Sequence, residues 1–269
     1  MSRFAFGRNW QSYLSVLNES RISEAENSLK AMIGVERLAG ASFVDVGSGS
    51  GVFSLAAHRL GARRVLSFDY DPDSVACGIA LRDRYGRSDS DWTIQQGSAL
   101  DPDYLAQLGQ FDVVYSWGVL HHTGAMWQAL DHVTRLVKPG GLLFIAIYND
   151  QGVVSRGWTL VKRAFNTGPV GRLAVTALFV PYFVGRGLIA DLVRLRNPIT
   201  RYREYRRARG MSMRHDWMDW LGGYPFEVAT PEAIFNFYHA RGFSLEKLTT
   251  CGGRLGCNEF VFTKAGQAS

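Results

Sequence analysis

The stretch Phe43 to Gly51, F-V-D-V-G-S-G-S-G, decides the fold. Phe43, Val44 and Val46 make the short apolar run of a buried parallel strand. Glycines then follow at alternate positions, Gly47, Gly49 and Gly51, with Ser48 between the first two. Directly after them, V-F-S-L-A-A-H-R-L sets Val52, Leu55, Ala56 and Leu60 at helical spacing. Strand, glycine turn and helix in immediate succession form the opening unit of a nucleotide-binding α/β fold. Glycine suits the turn because a backbone without Cβ bends sharply and lets a ligand come close.

The spacing of those glycines narrows the ligand. A dinucleotide fingerprint places a third glycine three residues after the second, so that a pyrophosphate can sit on the helix N-terminus. Val52 occupies that position here. Asp45, inside the strand, brings a carboxylate up to the turn, which repels phosphate and favours a cationic or amino group. Asp69, ending the next apolar run R-V-L-S-F, stands roughly 20 residues on, where a ribose-binding acid belongs. These residues resemble the class I S-adenosylmethionine-dependent methyltransferases, whose cofactor has a ribose, a charged amino acid end and no phosphate.

That resemblance covers about Phe43 to Tyr148 and Thr230 to Lys264. It implies a Rossmann-like α/β fold with a seven-strand sheet, mostly parallel with one antiparallel strand, and helices on both faces. It also implies S-adenosyl-L-methionine as cofactor. Asp45, Gly47, Ser48, Gly49 and Gly51 would form its turn, Asp69 would accept from the ribose hydroxyls and Tyr70 would flank the adenine. Ser98 and Ala99 stand where related enzymes carry an acid for the adenine amino group; Ser98 can accept a hydrogen bond there or act only as a turn residue. Ser116 and Trp117 end the fourth strand, F-D-V-V-Y-S, against the cofactor. Asp71 before Pro72 reads as a helix N-cap with a structural task.

Beyond the fourth strand, W-G-V-L-H-H-T-G places His121 and His122 at the mouth of the site. Leu130, Val133 and Leu136 to Val137 read as a helix stopped by Lys138-Pro139-Gly140-Gly141. The run L-L-F-I-A-I-Y is the fifth strand and delivers Tyr148. An alcohol or phenol acceptor needs a base, so His121 and His122 are the candidate catalytic residues, with Tyr148 to orient them; the alternative is two hydrogen-bonded structural histidines. The stretch also resembles ubiquinone-pathway O-methyltransferases, which read E-V-L-E-H. Gly118 and His121 replace the two glutamates there while His122 keeps its place, so no metal is expected.

The chain has 269 residues, with 46% apolar and 20% charged content, and reads as a soluble globular protein. Cys77, Cys251 and Cys257 show no metal spacing, and no signal peptide is read at the N-terminus, so a cytoplasmic protein with reduced thiols is expected. Residues 1–40 read as helices over the cofactor site, with Trp10 and Tyr13 lining a pocket or filling core. Residues 41–149 and 230–265 form the sheet domain, and Pro231 to Arg241 a helix before two final strands. The turn between these strands would bring Cys251, Arg254, Cys257 and Asn258 towards the acceptor, or stand as a plain hairpin loop.

Residues 150–229 form an insert, read as lid and specificity element. From Asp150 to Thr230 there are thirteen Arg and Lys against six Asp and Glu, so the whole net charge of +6 resides there. Its apolar run, Leu173 to Val184, is expected to pack on the sheet with the arginines as a solvated face. A spanning helix is not expected, because Pro181, Gly185 and Arg186 interrupt the run; peripheral contact with an anionic membrane surface is the alternative. The expected partner is a small-molecule acceptor. A nucleic-acid methyltransferase, suggested by Arg201 to Arg209 and a pI of 9.3, is disfavoured because no RNA-binding module is visible. A non-catalytic cofactor-binding module and a nicotinamide oxidoreductase are the readings from other classes.

Overall fold

Apolar runs that alternate with amphipathic segments bury a parallel sheet between two helical layers. The computed structural model describes residues 10, 14, 17–86, 91–195, 197 and 213–266. Helix α1 (Glu19–Met32), capped by Asn18, and the short α2 (Val35–Leu38) precede the sheet. Strand β1 (Ser42–Val46) leads through the glycine turn into α3 (Val52–Arg59). Then come β2 (Arg64–Asp69), α4 (Pro72–Tyr85), β3 (Asp91–Gln96), α5 (Pro102–Leu108) and β4 (Phe111–Trp117). After a 3₁₀ turn, Leu120–His122, follow α6 (Met126–Thr134) and β5 (Val137–Tyr148). The insert contributes α7 (Val153–Phe165), α8 (Pro169–Val193) and α9 (Met213–Gly222). The chain returns to the sheet with α10 (Pro231–His239), β6 (Phe243–Thr249) and β7 (Cys257–Lys264).

The seven strands run in the order β3-β2-β1-β4-β5-β7-β6, with β7 antiparallel to both neighbours and the rest parallel. This is the expected fold. Strand order reverses beside β1, so the carboxyl ends of β1 and β4 flank the crevice where ligands of open sheets bind. Alternate residues of the central strands feed two cores. Val44, Val46, Val114 and Ile145 face the α6 and α10 side, while Phe43, Val113, Tyr115 and Phe144 face α1 and α3. Asp71 caps α4 as anticipated, its Oδ1 accepting from the Asp73 N–H at 2.9 Å.

Three expectations need correction. Lys138-Pro139-Gly140-Gly141 does not stop a helix: α6 ends at Thr134 and Val137 already pairs with Phe111. The register then shifts by a bulge before Leu142 meets Val113, and a Pro-Gly pair is as compatible with a bulged strand start as with a helix end. Second, Pro181 and Gly185 do not interrupt the apolar run, because α8 continues through both for 25 residues. Phe179 and Phe183, on either side of Pro181, both pack on Trp158, which holds the two halves in line despite the lost N–H. Third, the run does not pack on the sheet. It joins a separate small core of Phe165, Val175 and Leu221 with Trp158, Phe179, Phe183 and Trp220 around them. Tyr13 and the arginines from Arg201 to Arg209 lie outside the described residues.

Candidate active site

The glycine turn is shaped by close approach. Gly47 has φ 75°, and a Cβ there would sit 2.2 Å from Val119 Cγ1, so the turn and the loop after β4 can meet only at glycine. A Cβ on Gly49 (φ 53°) would lie 3.0 Å from the Trp10 indole, which therefore roofs the turn. From below, the N–H groups of Gly47 and Ser48 both donate to Phe68 O, at 2.8 and 3.1 Å. The Ser48 hydroxyl is buried with no hydrogen-bond partner among the described residues.

The two acids of the sequence reading differ in setting. Asp69 Oδ2 accepts from the Gly49 N–H and Oδ1 from the Asp71 N–H, each at 2.9 Å. This ties the end of β2 to the glycine turn, and burial raises the Asp69 pKa from its ordinary value. Tyr70, next to it, is 60% exposed. Asp45 is not on the ligand surface as anticipated; it is 3% exposed beneath the turn. Its Oδ2 accepts from Ser54 Oγ at 2.6 Å, Ser54 Oγ from Ser67 Oγ at 2.7 Å, and Ser67 Oγ from Trp92 Nε1 at 2.8 Å. Burial, with a smaller push from Asp69, raises its pKa to about 7 against the opposing Ser54 hydrogen bond.

Other sequence candidates divide between surface and support. Ser98 Oγ accepts from the Leu100 N–H at 3.1 Å, the turn role of its two readings, and Ala99 O lies 3.0 Å from His132 Nδ1. Ser116 is fully buried and donates to Val46 O at 2.9 Å, so its side chain braces β4 against β1. Trp117 is 44% exposed, and its indole donates to Glu259 Oε1 at 2.8 Å.

His121, His122 and Tyr148 are brought together. Ring centroids lie 4.5 Å apart between the histidines, 4.0 Å from His121 to Tyr148 and 5.6 Å from His122 to Tyr148. Hydrogen bonds fix both tautomers. His122 Nδ1 is 2.6 Å from Pro225 O, which can only accept, so Nδ1 carries the proton and Nε2 the lone pair. The Tyr148 backbone N–H donates to His121 Nδ1 at 3.3 Å, so the His121 proton is on Nε2, a buried atom with no hydrogen-bond partner among the described residues. Burial pushes both imidazoles towards the neutral form, with the Lys162 ammonium adding to it; His122 falls to about 4 and His121 lies well below the ordinary value.

Several residues here escaped the sequence reading. Lys162 of α7 is fully buried, with its ammonium 4.2 Å from the Trp220 ring centroid and 4.8 Å from that of Phe226. Trp220 and Phe226 in turn pack on Tyr148 at 5.8 and 5.1 Å. Glu227 accepts from the Met126 N–H at 3.0 Å at the start of α6, and its own N–H donates to His121 O at 3.0 Å. Trp220, Phe226 and Glu227 lie in the aromatic cluster D-W-M-D-W-L-G-G-Y-P-F-E at 216–227, whose composition sets it apart but assigns it no role, and nothing local distinguishes Lys162. The β6–β7 turn lies beside the end of β5: Asn258 Nδ2 donates to Asn149 Oδ1 at 3.0 Å and the Asn149 N–H to Gly256 O at 2.9 Å. Among the described residues no group of three or more His, Cys, Asp or Glu side chains could hold a metal ion.

The strand order, the roofed glycine turn and the acid ending β2 together define a Rossmann-like fold with a ligand crevice at the carboxyl ends of its central strands. Residues 44–145 match the family model described as a methyltransferase domain, and this part of the chain carries the sequence pattern and fold of the class I S-adenosylmethionine-dependent methyltransferases. It is 34% identical over 112 residues to the ubiquinone biosynthesis O-methyltransferase of Xanthomonas oryzae pv. oryzae, covering 42% of this chain and 45% of that protein. It is 30% identical over 119 residues to the tRNA U34 carboxymethyltransferase of Methylococcus capsulatus, covering 44% and 36%. The chain thus spans less than half the length of these curated relatives. Magnesium protoporphyrin IX methyltransferase from Synechocystis PCC 6803 with bound SAH shares the fold, with a TM-score of 0.53 at 16% identity over 91% of this chain and 83% of that one. The cofactor is S-adenosyl-L-methionine, and the residues fit it. The unpartnered Ser48 hydroxyl, the exposed Tyr70 ring and the Asp69 carboxylate converge on one turn.

Proposed function

We propose that the protein transfers a methyl group to an oxygen nucleophile of a small-molecule acceptor. The observation that carries this reading is the neutral histidine pair with opposite tautomers beside Tyr148. S-adenosylmethionine would supply an electrophilic methyl group when bound; Asp69 would hold its ribose, Tyr70 would flank its adenine, and Gly47, Ser48, Gly49 and Gly51 would hold its amino acid end near the buried Asp45. His122 presents the Nε2 lone pair and takes the proton of the acceptor hydroxyl. His121 presents the opposite end of a hydrogen bond, an Nε2–H donor, and orients an oxygen rather than accepting its proton. Val119, three residues before His122, touches Gly47, so acceptor and cofactor ends of the site adjoin.

The aromatic wall of Tyr148, Trp220 and Phe226 suits a flat or apolar acceptor. The Xanthomonas relative, an O-methyltransferase of ubiquinone biosynthesis, supports the same class of acceptor. In cell extract supplied with methyl-labelled cofactor, label is expected in a small molecule as a methyl ether or ester. Label found in tRNA or in protein would overturn the reading.

A further inference from the structure

Helix α8 carries an apolar face that the described chain leaves uncovered. Val170, Leu173, Leu178, Leu188, Ile189 and Leu192 are all exposed. At roughly 100° per residue they fall on one side of the helix. Val175, Phe179 and Phe183 fall on the other, against Trp158, Phe165 and Leu221. The helix is long and apolar enough to cross a membrane by length and composition.

Charge identifies the occupant. Residues 153–195 hold six basic side chains against one carboxylate. Arg156, Arg163, Arg172, Arg186 and Arg194 are exposed, whereas the carboxylate, Asp191, is buried. At the same spacing Arg172, Arg186 and Arg194 fall on the side away from the stripe, so the insert sets a cationic back behind an exposed apolar face, a combination that suits an anionic interface. Attachment also sets the orientation. Crossing a bilayer would strip Val175, Phe179 and Phe183 from α7 and α9 and carry Arg186 into hydrocarbon, whereas lying in the plane keeps that core intact.

We propose that α8 docks the protein, parallel to the surface, on a bilayer containing anionic phospholipid. The leucine stripe enters the acyl boundary, and the arginines behind it draw the insert to the anionic surface. This holds whatever the acceptor is, because it rests on the insert and not on the histidine pair.

Flotation of the full chain with vesicles tests it. Association is expected with phosphatidylglycerol-containing vesicles, little with phosphatidylcholine alone, and less as salt rises. Leu178→Ser and Leu188→Ser should each lower partitioning about tenfold. Arg186→Gln and Arg194→Gln should each lower it about fivefold, at low salt only. Unchanged affinity for S-adenosylhomocysteine reports that each variant is folded. Failure to float with anionic vesicles overturns the proposal. So does retention through alkaline carbonate washing, the mark of a spanning helix, or a dimer in light scattering that Leu188→Ser dissolves, the mark of a second copy on this face.

Discussion

Replacing Asp45 by Asn tests the electrostatic core of the site. The carboxylate is 3% exposed and burial raises its pKa to about 7, whereas in the unfolded chain it titrates near ~3.9. Between those values the folded protein holds a proton that the unfolded chain has released, so stability falls as pH rises from about 4 to about 7 and is level above. Some three pKa units at 1.4 kcal/mol each give a cost of about 4 kcal/mol at pH 8 relative to pH 4. Asn keeps an oxygen for the Ser54 hydroxyl and never ionises. The variant should come within about 1 kcal/mol of the wild type near pH 4.5 and exceed it by up to about 4 kcal/mol at pH 8. The histidine pair works in the opposite sense: its lowered folded pKa values give stability that is present above ~6.5 and lost as pH falls through those lowered values, about 4 for His122. Urea unfolding of both proteins across this range cancels that shared contribution. A variant-minus-wild-type difference that does not change with pH would refute the argument. Binding supplies an independent reading. A cationic ligand over the turn draws the proton off Asp45, so S-adenosylmethionine binding near pH 6 should release protons, seen by calorimetry in buffers of different ionisation enthalpy, and the Asn variant should release none.

His122→Gln should lower methyl transfer by about 10²- to 10⁴-fold with cofactor affinity unchanged, measured as labelled product and by calorimetry; full activity would remove the base. With His122 near 4 and not at its ordinary value, the acid limb of the rate profile should lie well below pH 6. Lys162→Met fills the space between Trp220 and Phe226 but removes a cation that adds to burial in keeping both imidazoles neutral, so the acid limb should move towards neutrality; an unmoved limb would sever Lys162 from the histidines. Gly47→Ala should cost about 2–4 kcal/mol, the sum of overpacking against Val119 and a left-handed backbone. Adding Val119→Ala should return part of that loss in thermal melts, and no recovery would show that the contact is not what fixes Gly47.

The parts of this site that could be read from the sequence are those whose chemistry is local. Strand, turn and helix from Phe43 to Leu60 are set by a change of hydrophobic period across three glycines, and the structure reproduces them. Asp69 was legible because the end of one βα unit stands a fixed distance from the next. The depth of Asp45 was not, since whether a strand residue faces the ligand or the helix beneath depends on which layer covers it. Here α3 brings Ser54 to it, so the same carboxylate that marks the turn acts from below.

What stayed hidden is what the fold assembles from distant segments. Tyr148, Lys162, Trp220 and Phe226 are separated by up to 78 residues, and no periodicity announces that an ammonium on α7 will lie against rings from the far end of the insert. Within α7 alone, Lys162 reads as one more basic residue on an arginine-rich segment. Its burial follows from Trp158, Phe179 and Phe183 packing around Trp220, which leaves the lysine the inner side of a helix whose outer side is cationic. The same packing explains the misreading of α8. An apolar run of that length suggests burial on the sheet, but its inner side is already satisfied by the small aromatic core, and the sheet face it would need is occupied by α6 and α10. The insert therefore turns its remaining apolar surface outward, with the exposed arginines of α8 on the side behind it.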